Sequence, residues 1–232
     1  MSQDGIINAY ISSVTFDNST ISDLVLNRNS IEIVASTLEL TDMNVKNISN
    51  PGNYEFIVTS LGSTLNIRNV HYSFSDSIFF NLVSSEMETT NLTFLNINRA
   101  EHLFKIYDSN SVVMDDIKAI NVSTDNLGLF SISNTNDILI RNSDFHNITQ
   151  LVFDIKQSES INISNCVFTN MSQGAKITNS NLVDMKNVSF ANGGASDIQQ
   201  GGAISIRNSV VAISNSSLIN NTAQNGAAIS LV

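Results

Sequence analysis

The chain is 232 residues long, and its 42% hydrophobic content is too high for a disordered polymer even though Asn (33) and Ser (34) dominate it, so the bias has to be structural. Its net charge is −10, and the 11 Lys and Arg residues are scattered singly instead of forming the basic stripe that tracks phosphates, so nucleic acid is not an expected partner. The longest apolar runs, such as Ile78-Phe79-Phe80, fall far short of the roughly 20 residues that cross a bilayer, and no membrane span is predicted in this segment.

Along the chain, one short segment recurs nine times: VTFDNSTISD from Val14, LELTDMNVKN from Leu38, LNIRNVHYSF from Leu65, LTFLNINRAE from Leu92, VVMDDIKAIN from Val112, ILIRNSDFHN from Ile138, INISNCVFTN from Ile161, VDMKNVSFAN from Val183 and VAISNSSLIN from Val211. The period averages about 25 residues, a spacing that signals stacked repeats. Each copy reads as two period-two strands joined at a corner. A third strand precedes each unit, at Phe56/Val58, Phe80/Leu82, Phe104/Ile106, Phe130/Ile132, Phe153/Ile155, Ala175/Ile177, Ile204/Ile206 and Ile229/Leu231. Equivalent strands return in the same direction once per period, so they stack in parallel and cannot form hairpins. Helix is disfavoured by the β-branched, Asn- and Ser-rich alternation. The prediction is an all-β solenoid of about nine coils with three short strands per coil, roughly 45 Å long at the usual strand spacing.

Two columns of Asx residues mark the corners. The first runs Asn18, Asp42, Asn69, Asn96, Asp116, Asn142, Asn165, Asn187 and Asn215. Asn and Asp tolerate a left-handed backbone, and a stacked amide can bond its equivalents in adjoining coils, so this column is read as a structural ladder with inward-pointing rungs. Asp42 and Asp116 accept hydrogen bonds but do not donate them while ionised. The second column holds Asp23, Asn47, Asn121, Asn147, Asn170, Asn192 and Asn220, with Phe74 and Glu101 replacing Asx in two coils. Segments 49–54, 73–77, 172–174 and 193–202 are expected to be variable turns.

On these residues the chain resembles the pectate-lyase-like family, which implies a right-handed parallel β-helix. GGAISI at 201–206 and NNTAQNGAAISL at 220–231 resemble the repeats of polymorphic outer-membrane and adhesin-type surface proteins. Residues 1–232 are read as a single β-helix domain belonging to a longer repeat protein, with 1–13 as a weakly patterned first coil or cap. The sequence stops inside a strand, ISLV, so further coils or identical subunits stacked end to end are the expected partners.

Polysaccharide chemistry on this fold needs clustered carboxylates on an outer face. Outward positions of the third strand read Ile57, Asn81, Lys105, Ser131, Asp154 and Lys176, then Thr59, Val83, Tyr107, Ser133, Lys156 and Thr178. Lys105, Asp154, Lys156 and Lys176 form the best charged patch, with one acid in it, and read as a solvated ion-pair patch. Asp115 with Arg141, and Lys118 with Asp144, are expected to meet across single rungs. His71, His102 and His146 fall in different columns, so no metal or cofactor is predicted. Cys166 reads as a core residue aligned with Met43, Val70, Ile97, Ile117 and Val188. Ten Asn-x-Ser/Thr sequons occur where roughly seven arise by chance from 33 Asn and 49 Ser or Thr. Eight fall on the two Asx columns; Asn91 and Asn162 alternate outward and are the candidate N-glycosylation sites. The expected function is a noncatalytic structural or adhesive β-helix of an extracellular, cell-surface or filament-forming glycoprotein, carrying N-linked glycans or meeting surface carbohydrate. The alternative is a polysaccharide-binding or polysaccharide-degrading β-helix.

Overall fold

Short period-two segments bury alternate side chains only if a second layer covers them, and here the chain supplies that layer by coiling back on itself. The computed structural model describes residues 7–25, 30–49, 55–75, 78–100, 102–124, 128–194 and 202–231. Within them are 22 strands and no helix, and all the strand pairings are parallel, each to the equivalent strand one coil away. The result is a parallel β-solenoid with three faces. Face A includes Ser13–Asp17, Asp137–Arg141, Ser160–Ser164 and Val210–Ser214. Face B includes Ser189–Ala191 and Ser217–Ile219, and face C includes Ile7–Tyr10, Phe104–Tyr107, Phe130–Ser133 and Ile204–Arg207. Some strands, such as Thr37–Ser49, bend from face A through face B without a break.

Corner I joins faces A and B, corner II follows B, and corner III joins C to A. All three are built the same way. Each corner places one non-glycine residue per coil at φ between 46° and 58°, nine times at each corner, so eight full turns separate the first copy from the last. Corner III runs Ile11, Ala35, Leu61, Ser84, Asp108, Asn134, Gln157, Asn179 and Asn208. Its mixed composition hid it from pattern reading. It is followed within two residues by a column of hydroxyls that does the same job in six coils. Ser36, Ser63, Ser109, Ser158, Ser180 and Ser209 each accept the backbone N–H of the preceding coil's equivalent residue. The hydroxyls also donate back to a nearby carbonyl, as Ser36 does to Val34 O at 2.7 Å. Backbone groups at the turn are thus paired despite burial.

Register differs from the sequence expectation in two coils. Met87, Thr89, Leu92 and Phe94 lie beside Leu65, Ile67, Val70 and Tyr72. Leu92 therefore opens face B, not face A, and Asn96 moves from corner I to corner II, while Asn91 takes its place at corner I. The cause is packing. This register sets Phe94 against Tyr72, ring centroids 5.9 Å apart, at the expense of burying Thr89, whose Oγ1 has no partner. In the coil before, Ile57 and Thr59 lie beside Phe80 and Leu82 and are fully buried, where Phe56 and Val58 were expected; Phe56 is buried too, while Val58 is only half-buried. Residues 172–174 are continuous strand within Val167–Thr178, not a turn; residues 50–54, 76–77, 195–201 and Glu101 lie outside the described residues, as do 1–6 of the expected cap.

The interior is organised in stacks. On face C, Phe80, Phe104, Phe130 and Phe153 lie ring over ring with centroids 4.6, 5.4 and 5.0 Å apart. On face B, Phe145, Phe168 and Phe190 repeat this at 5.0 and 4.4 Å. The two stacks meet edge to face, as at Phe145 and Phe153, 5.3 Å apart. Each buried ring contributes about 1.5–3 kcal/mol, so these columns hold neighbouring coils together from Phe80 to Phe190.

Candidate functional site

With the inside filled by side chains, any site has to be built from corners and outward positions. At corner I the Asx side chains are solvent-facing, which corrects the expected inward ladder: the left-handed residue turns its Cβ away from the core. Four Nδ2 groups donate to the corner Oδ1 of the preceding coil. Asn69 bonds Asp42 at 2.8 Å, Asn91 bonds Asn69 at 3.0 Å, Asn165 bonds Asn142 and Asn187 bonds Asn165, both at 3.1 Å. Asp42 acts as a pure acceptor, as its charge requires. Asp116 does not, because Asn142 turns to the neighbouring Asp115 at 2.8 Å. Asn18 and Asn215 hold the corner backbone conformation at φ 46° and 49° without a side-chain bond to another rung.

Corner II carries the longest amide ladder. Asn121, Asn147, Asn170, Asn192 and Asn220 donate in sequence from Asn96 upward, at 2.9 to 3.5 Å. Below it, Asn47 donates to Asp23 at 2.9 Å, and that bond, followed by one from Ser22, holds the Asp23 carboxyl below the ordinary carboxylate value. Phe74 separates the two stretches. Its φ is 52° and it is 59% exposed, although every other described residue of that column is Asn or Asp. A groove of about 700 Å³ opens there, lined by Asn47, Ile48, Ser49, Phe74, Ser75, Asn96 and Asn98.

The charged patch on face C is real in register but small in chemistry. Lys105, Asp154 and Lys176 occupy one outward column and Lys156 the next. Lys156 Nζ lies 2.7 Å from Asp154 Oδ2, while Asp154 Oδ1 is buried with no partner. Ile57 and Thr59, expected in these outward columns, are core residues. On face A, Arg141 meets Asp115 at 2.8 Å as expected. Lys118 and Asp144 share a register without coming within ion-pair distance. His102 is buried, its Nδ1 2.6 Å from Gly128 O, and His71 and His146 stand on face B in different coils. Among the described residues no three of His, Cys, Asp and Glu gather at metal-holding distance.

Cys166 sits in the corner I column beside Ser143 and Val188, not Ile97, and burial first of all pushes its thiol up to about 12. Its Sγ is 3.2 Å from Ser164 O, the same contact that Ser143 Oγ makes to Arg141 O at 2.7 Å. It replaces a serine structurally. Of the two outward sequons, Asn162 lies mid-strand on face A, exposed and free of ladder bonds; Asn91 is a corner I rung whose amide is committed to Asn69.

No protein-family model matches the chain, and no curated protein matches it. Among solved structures it is similar to the Azotobacter vinelandii mannuronan C-5 epimerase AlgE4 A-module, at 10% identity and a TM-score of 0.30, over 95% of this chain and 88% of that one. That likeness concerns the fold alone; the parallel β-solenoid itself rests on the strand register described above.

Proposed function

We propose that this chain is a noncatalytic structural or adhesive rod of an extracellular or cell-surface protein. One observation carries the reading: most corner amides and the acid of the best charged patch are spent on holding the coils together. Most Asn at corners I and II bond the next rung, and the acids Asp115 and Asp154 are each held by a cation on the same face. A glycosidase would set two carboxyl groups about 5–9.5 Å apart around one bond. The face C patch offers a single acid already paired with Lys156. Asn162 is the position on which an N-linked glycan fits best, since modifying its amide breaks no rung.

The test is turnover on pectin and alginate, followed by reducing ends, unsaturated products and proton NMR of the recovered polymer, with Asp154→Ala as the control. The expected result is unchanged polymer with both proteins. Turnover that disappears in Asp154→Ala would establish the polysaccharide-degrading alternative instead.

A further inference from the structure

The break in the corner II ladder is built differently from the other interruptions. Ladder bonds run from each Nδ2 to the Oδ1 one coil below, so a rung without an amide strands one group on each side. At Phe74 these are the Asn47 Oδ1 below and the Asn96 Nδ2 above, neither of which has a ladder partner across the gap. They stand two rungs apart, about 10 Å, with the exposed Phe74 ring between them.

The floor of the groove is fixed. Phe74 N–H donates to Leu95 O at 3.1 Å, and Ser75 O accepts the Asn98 N–H at 2.9 Å. The buried Ser75 hydroxyl takes the Ile48 N–H at 3.0 Å. These main-chain groups are spoken for, so none of them offers an extended peptide a strand edge to join. What remains is an apolar ring face flanked by one neutral acceptor and one neutral donor, with no charged side chain among the described lining residues.

We infer that this groove binds a neutral oligosaccharide, one hexopyranose ring lying on Phe74 with hydroxyl groups on either side meeting Asn47 Oδ1 and Asn96 Nδ2. A pyranose presents C–H bonds on its flat face and hydroxyls at its rim, and a hydroxyl both donates and accepts, so it fits both stranded groups. The span between them is about that of two linked sugars, and the groove has the volume for such a ligand. The hydrogen bonds that fix Phe74 and Ser75 keep the ordering cost of binding low.

The inference stands apart from the noncatalytic reading, because a groove at corner II binds sugar whether or not another face turns it over. Titration of the isotope-labelled chain with cellohexaose, laminarihexaose and chitohexaose, followed by NMR, tests it. At least one of them is expected to shift the amide signals of Phe74, Asn47 and Asn96. Phe74→Asn restores the ladder and should lower that affinity at least 10-fold while raising the melting temperature; Asn162→Gln on face A should leave the affinity unchanged. Recovery of the oligosaccharides intact is scored separately and bears only on catalysis. The inference is overturned if none of the three sugars shifts these signals, if Phe74→Asn binds as tightly as the native chain, or if the shifts map to face C.

Discussion

A residue held at φ near +54° in an L-polypeptide costs about 1–2 kcal/mol unless its side chain compensates, and this chain takes that conformation three times per coil. Asn and Asp are the residues that bear it most easily, and the amide ladder adds a net bond of about 0.5–1.5 kcal/mol per rung. Asn165 sits mid-ladder with bonds to Asn142 below and Asn187 above. Asn165→Ala removes both bonds and the conformational preference, so unfolding free energy should fall by about 2–4 kcal/mol, measured by urea titration. An effect under about 0.5 kcal/mol would mean the exposed rungs are ornamental, as isolated surface polar contacts often are. Asp23 allows a test by pH. The amide bond from Asn47 and then the Ser22 hydroxyl lower its folded value, so the ionised form is favoured by folding. Its contribution is present above the ordinary carboxylate range and is lost as pH falls through the lowered value. Acid titration should melt the Asp23–Asn47 contact in that window, below the ordinary carboxylate range, seen in the Asn47 side-chain amide signals, and Asp23→Asn should remove this acid dependence.

At the scale of the strand, side-chain size is matched from face to face. Phe190 closes one stack, and the adjoining strand passes it at Gly174, where a Cβ would come 2.3 Å from Phe190 Cε1, 2.6 Å from its Cδ1 and 3.0 Å from Ala203 O. Gly174→Ala should therefore destabilise by about 1–3 kcal/mol, with Phe190→Leu in the same chain recovering part of the loss. Equal destabilisation with and without the second change would show that the Ala203 carbonyl, not the ring, sets the limit. The same matching explains which parts of the fold are legible in the sequence. Corner I and most of corner II stand out because Asx is nearly invariant there, and period-two alternation marks the strands between them. Corner III does not stand out, since Ile11, Ala35, Leu61 and Ser84 share no chemistry beyond their backbone angle. The coil at Glu86–Ala100 reads one corner out of step because Thr89 occupies a core position while LTFLN, starting at Leu92, imitates the face A pattern. Phe74 was visible as an exception to its column, but its exposure and the two stranded amide groups are properties of stacking, which a linear pattern does not carry.

For the whole molecule, each coil touches only its neighbours, so stability is close to a sum of coil terms and interface terms along one axis. Sheet hydrogen bonds run between all coils, ladders and ring stacks add further interface terms, and gaps in these additions divide the rod into blocks. The clearest gap besides Phe74 is Gln157 at corner III. Asn134 donates to Asp108 at 3.0 Å below it and Asn208 donates to Asn179 at 2.9 Å above it, but no amide bond crosses Gln157 itself. The reason is length: one extra methylene carries the amide past the line on which its neighbours stack. Gln157→Asn should join the two segments into a ladder from Asp108 to Asn208, adding two bonds worth about 1–3 kcal/mol together. In a chain of this size that corresponds to a rise in melting temperature of roughly 2–12 °C. The distribution of the gain discriminates better than its size. If interfaces couple coils, hydrogen exchange should slow across the coils on both sides of residue 157, including amides that touch neither new bond. Slowing confined to residues beside 157 would instead show that each rung acts locally and that sheet hydrogen bonds and core packing, not the ladder, bind the coils into one cooperative unit.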